Sequence, residues 1–126
     1  MLTDVAKNKM ITSISEAIDR VFISASEAIT TSTLISTITN QGYPTNIPVV
    51  WGTATAGVIK TTNKTENDNP MNFAMIKNAT PKKIVFYLNG SNYPAIIEDL
   101  PVSVPTNYAY QGPLFIDEYS LTITEV

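Results

Sequence analysis

The chain has 126 residues, a net charge of −3 and a charged fraction of 15%, against about 25% in an ordinary globular protein. It contains no cysteine and no histidine, which excludes disulfides, thiolate or imidazole metal ligands, cysteine nucleophiles and a Ser-His-Asp triad. Arg20 is its lone arginine and its pI is near 4.7, a poor match to nucleic acid, whose phosphates and base edges are gripped by arginine forks.

The length suits one domain, and the surplus of Thr, Ser and Asn over charged residues favours strands and turns. No run approaches the roughly 18 apolar residues of a membrane span. Asp4, Lys7 and Lys9 interrupt the N-terminus before any apolar core, so no signal peptide is expected.

Residues 3–19 are predicted as an amphipathic helix. Thr3 is its N-cap, Asp4 lies in the first turn, and Met10, Ile14, Ala17, Ile18 and Val21 form an apolar stripe. Such a helix packs on a sheet or on a neighbouring subunit. Residues 20–26 alternate Val21, Ile23 and Ala25 with Phe22, Ser24 and Ser26, the period of a first strand. Residues 27–46 are a long connection holding Leu34, Ile35, Ile38 and Tyr43. It has room for a strand or a helical turn, and as an exposed Thr/Ile-rich stretch it would serve as a contact arm for a partner.

Residues 47–53, with Pro48 and the lone tryptophan Trp51, and residues 57–62 each predict a strand. Residues 63–70 form a polar loop, and residues 71–76 lead into another strand. The strongest local signal follows: Ile84, Val85, Phe86, Tyr87 and Leu88, then Asn89-Gly90. That dipeptide predicts a two-residue type I′ hairpin. Its register sets Leu88 opposite Ser91, Phe86 opposite Tyr93 and Ile84 opposite Ala95. Ile84, Phe86, Leu88, Tyr93, Ala95 and Ile97 then share an inward face, while Val85, Tyr87 and Ile96 point away. Pro94 marks the second strand as an edge. Residues 101–105 are extended between two prolines, residues 106–113 are a loop with Tyr108, Tyr110 and Gly112, and residues 119–126 alternate as a final strand. Together these elements predict a mainly β fold: a single β-sandwich domain with one N-terminal α-helix, helix over 1–20 and sandwich over 21–126.

Residues with chemistry are few. Glu66, Asn67, Asp68 and Asn69 offer oxygen ligands but lack the glycine and terminal glutamate of an EF-hand, so a solvated turn is the better reading. In Glu98-Asp99 and Asp117-Glu118 the neighbouring carboxylates point to opposite faces of a strand, which suits charges that discourage edge pairing better than a glycosidase pair. Lys82 and Lys83 read as strand-end charges. Tyr87, Tyr93, Tyr108 and Tyr110 would make an aromatic face for sugar or protein, or simply pack as strand residues. Asn63, Asn78 and Asn89 each begin a glycosylation tripeptide, none expected to be modified. No phosphate loop, dinucleotide fingerprint or zinc signature occurs. The expectation is no enzyme, no catalytic residue, no cofactor and no metal.

The segment from Leu2 to Met10, opening a helix that runs into Val21, Phe22, Ile23, Ser24 and Ala25, resembles the start of a family of small bacteriophage proteins labelled tail-fibre-like. Val49, Val50 and Trp51, then Ala56, Gly57, Val58 and Ile59, follow in that family's order. The run from Ala79 to Gly90 resembles its central strand and turn, and residues 120–124 its closing strand. The five glycines are fewer than is typical of its members. The resemblance implies a virion structural component. It would act by protein–protein contact in a symmetric, multi-copy assembly on the tail or fibre, or as a decoration protein on the capsid. The helix and residues 27–43 would then dock on neighbouring virion proteins, with the loops at 63–70 and 108–112 facing outward. The candidate contact residues are Met10, Ile14, Leu34, Ile35, Tyr43, Tyr108 and Tyr110. A carbohydrate-binding module that holds a host glycan through its tyrosines and loop carboxylates is the alternative, and neither nucleic acid nor membrane is an expected partner.

Overall fold

The computed structural model describes residues 1–25, 28–34, 36, 49–61, 71–73, 81–100, 114–116 and 119–124. In chain order the elements are α1 (Asp4–Ala17), β1 (Ile18–Ser24), β2 (Val58–Lys60), β3 (Met71–Phe73), β4 (Lys83–Leu88), β5 (Ile96–Asp99), β6 (Leu114–Ile116) and β7 (Ser120–Thr122). Five of these strands make two antiparallel sheets, β1–β4–β5 and β2–β7, and β3 pairs with β6 in a short ladder. Strand exceeds helix, as the composition predicts.

Thr3 caps α1. Its Oγ1 accepts from the Ala6 N–H at 3.3 Å, and Asp4 occupies the first turn, where the helix dipole favours a carboxylate. The helix stops at Ala17 without glycine or proline. Ile18 is already extended, at φ −77° and ψ 119°, while its N–H still donates to the Ile14 and Ser15 carbonyls. A β-branched residue prefers that conformation, so β1 begins at Ile18, two residues before the expected strand.

That boundary explains why the expected apolar stripe is wrong. Ile18 and Val21 share the spacing of Met10 and Ile14 but belong to a strand and say nothing about the helix face. The side chains α1 buries are Ile11 and Ser15, each 3% exposed, whereas Met10 and Ile14 are 42% and 37% exposed. The buried face lies about 100° round the helix from the expected one. Ser15 tolerates burial because its Oγ donates to the Thr12 carbonyl at 2.8 Å.

β1 pairs with β4 through a bulge at Asp19: Ile18 lies opposite Leu88, and Arg20 opposite Tyr87. The extra residue reverses the facing of what precedes it. Without the bulge Ile18 would share the side of Arg20 and Phe22. With it, Ile18 joins Val21 and Ile23 in the main core.

β4 is the middle strand and is buried on both sides, with Ile84, Val85, Phe86 and Tyr87 all at 0% exposure. The expected single inward face is therefore corrected. Ile84 and Phe86 join the main core, while Val85 and Tyr87 pack with Phe22 in a second cluster on the opposite side. An unbroken apolar run, rather than alternation, is what two-sided burial requires.

The hairpin register is corrected too. Gly90 has φ +80°, but Asn89 is not in the left-handed region, and the Ser91 N–H donates to the Leu88 carbonyl at 3.1 Å. Positive φ at the second central residue alone defines a type II turn, not type I′. A type II turn splays the strands it joins, and regular pairing resumes only at Phe86 opposite Ile96 and Val85 opposite Ile97. Ile97 thus packs on the second cluster and Ile96 on the main core, the reverse of the expected facing, and Tyr93 is 51% exposed. β5 does stand at the end of the three-stranded order, as Pro94 suggested.

The reciprocal two-residue hairpin of this chain lies elsewhere. The Thr55 and Val58 N–H groups each donate to the other's carbonyl, at 2.8 and 2.9 Å, around Ala56 at φ +52° and Gly57 at φ +77°. This turn leads into β2, and the helix holds it: the Asn8 Oδ1 accepts from the Gly57 N–H at 2.8 Å. The expected strand at 47–53 reduces, in its described part, to a bridge between Trp51 and Thr61 and a bond from the Gly52 N–H to the Lys60 carbonyl. The strand expected over 57–62 is Val58–Lys60, and the described part of that expected over 71–76 is Met71–Phe73. β7 keeps the predicted alternation, with Tyr119 and Leu121 buried and Ser120, Thr122 and Thr124 exposed. The loops at 63–70 and 106–113 and the proline-flanked stretch at 101–105 lie outside the described residues.

The main core gathers Ile11 from α1, Val21, Ile23, Ile84 and Phe86 from the first sheet, and Ile59, Tyr119 and Leu121 from the β2–β7 side. Phe86 sits at its centre, 5.9 Å from the Trp51 ring and 5.4 Å from the Tyr119 ring.

Candidate functional site

Because α1 turns Ile11 and Ser15 inward, Met10 and Ile14, one turn apart, are left as an exposed apolar pair on one flank, at 42% and 37%. Val5, 80% exposed, lies on the opposite side of the helix. Beside the helix lies a groove of about 330 Å³. Ser15 and Glu16 line it on the helix side, and Val49, Val50, Trp51 and Ile59 on the strand side. Val50, at 53% exposure, is apolar surface on its wall. Thr12, Ser15 and Glu16 face the groove from the side of α1 opposite Met10 and Ile14, so the groove and that exposed pair are two separate surfaces.

Of the expected contact residues, Met10, Ile14 and Leu34 are exposed, Leu34 at 45%. Ile35, Tyr43, Tyr108 and Tyr110 lie outside the described residues, and of the remaining three Met10 and Ile14 share one flank of α1. The connection at 27–46 is not wholly an outward arm: Ile29 packs against the second cluster beside Phe22, Val85 and Tyr87. The aromatic face loses Tyr87, which is fully buried in edge-to-face contact with Phe22 at 5.6 Å.

The acidic pair at 98–99 divides between two partners. Glu98 Oε1 accepts from the Tyr119 hydroxyl at 2.7 Å, and Asp99 forms an ion pair with Lys83. The groups at 66–69 and 117–118 lie outside the described residues. Among the described residues no cluster of three acidic side chains is arranged to hold a metal ion, and no helix is long and apolar enough to cross a membrane.

Two phenols are strongly shifted. Burial pushes Tyr87 up to about 12, with the Arg20 guanidinium acting in the opposite sense. Burial raises Tyr119 further still, with added contributions from its hydrogen bond to Glu98 and from the charges of Glu98 and Asp99. Both shifts move the proton away from neutral pH, the wrong direction for acid–base chemistry there. They mark phenols used as packing and as a donor.

Arg20, read from the sequence only as a scarcity, has a definite task. Its guanidinium lies 5.6 Å over the Tyr87 ring, and Nη2 donates to the Leu88 and Ser91 carbonyls, closing the base of the 89–95 loop. The sequence carries no local signal for this, since the bonds span 68 and 71 residues.

Fold and surface together define a small mixed α/β chain, with more strand than helix among the described residues, whose N-terminal helix exposes Met10 and Ile14 on one flank. No protein-family model, no curated protein and no solved structure matches it.

Proposed function

We propose that this chain is a bacteriophage virion structural protein, associated with the tail or fibre, that acts through protein–protein contacts in a symmetric, multi-copy assembly. Its layers form a β-sandwich, the helix lies along one side, and the flank of α1 that carries Met10 and Ile14 is the surface that docks on neighbouring virion proteins or further copies. The observation that carries this reading is the exposure of Met10 and Ile14, one turn apart, on a helix that gives only Ile11 and Ser15 to the core. The low charge and the resemblance of the helix–strand opening and central strand to tail-fibre-like phage proteins agree with it. Decoration of the capsid exterior is the second placement, and the same surface serves both.

The test is the protein content of purified particles, with immunogold labelling to separate tail from head. The chain should be present in many copies. Met10→Glu with Ile14→Glu should lower its incorporation at least tenfold without changing its circular dichroism. Absence from particles, or full incorporation of the double variant, overturns the reading. A glycan array with the isolated chain tests the carbohydrate alternative, which among the described tyrosines rests on Tyr93.

A further inference from the structure

We draw no further inference here: the strongest candidate, the groove of about 330 Å³ between α1 and residues 49–52, carries nothing, because Trp51 Nε1 on its wall is buried rather than offered to a ligand and nothing in the structure shows what covers the apolar remainder.

Discussion

The Tyr119 hydroxyl donates to Glu98 Oε1 at 2.7 Å, joining the residue just before β7 to β5 of the other sheet. Tyr119 is buried and Glu98 is exposed, so the two ends of the bond respond differently to mutation. Tyr119→Phe frees a carboxylate that water can solvate and should cost about 0.5–1.5 kcal/mol. Glu98→Ala leaves a shielded hydroxyl without its acceptor and should cost about 1–3 kcal/mol. Urea midpoints of the two variants and the double variant give the coupling energy. Equal single-variant losses that simply add would show that the bond contributes nothing.

Tyr87 should behave in the opposite way. Among the described residues its buried hydroxyl has no hydrogen-bond partner, a burden of about 1–3 kcal/mol. Tyr87→Phe keeps the ring against Phe22 and removes that burden, so the thermal midpoint should hold or rise. A fall comparable to that of Tyr119→Phe would mean the hydroxyl is satisfied.

Alkaline pH should unfold the chain through these phenols. An unfolded tyrosine titrates near 10.0, folded Tyr87 at about 12 and folded Tyr119 higher still. A raised folded value means that the native state holds its proton after the unfolded state has lost it. This contribution is complete below pH 10 and is lost as pH rises through 12. Denaturation midpoints taken between pH 8 and pH 12 should fall only in the upper part of that range, and less steeply for Tyr87→Phe.

The turn at Ala56 and Gly57 is a place to gain stability. Ala56 holds φ +52°, a left-handed conformation that costs an L-residue about 1–2 kcal/mol. Asparagine tolerates it better and is favoured in such hairpins. Ala56→Asn should therefore raise stability by up to about 1 kcal/mol. Gly57→Ala should lower it by about 1–2 kcal/mol, since φ is +77° and a Cβ would meet the Lys7 side chain at 3.1 Å. Chemical denaturation of both variants checks the pair of signs.

The two faces of α1 should separate cleanly in mutational cost. Ile11→Ala opens the main core and should cost about 2–5 kcal/mol. Met10→Glu and Ile14→Glu should each stay within about 0.5 kcal/mol. If Met10→Glu destabilises the isolated chain as much as Ile11→Ala does, the helix face is assigned wrongly.

Local chemistry was legible where a short stretch decides the outcome. Thr3 and Asp4 announced the helix start, the unbroken apolar run announced β4, Pro94 announced an edge, and the alternation about Leu121 announced β7. Two of the departures come from competition by distant partners. Asn89-Gly90 suits a type I′ turn in isolation, yet the neighbouring Leu88 and Ser91 carbonyls are held by Arg20, far earlier in the chain. The turn adopts type II and the register shifts. Ala56 is a poor left-handed residue, and its turn is held from outside by Asn8 on α1. The helix face was misjudged because strand residues were counted in its stripe. The Tyr119–Glu98 bond joins positions 21 apart on different sheets, a pairing that no periodicity reveals.

The seam between Ala17 and Ile18 has a mechanical meaning. Helix passes into strand with no intervening residue, and β1 is bonded along its length to the middle strand of the sheet. There is no hinge there to absorb motion. A pull on α1 directed along β1 would load the rungs of the β1–β4 ladder side by side, in shear, instead of peeling them one after another. A helix gripped from outside is thus a handle fixed straight into the stiffest part of the molecule.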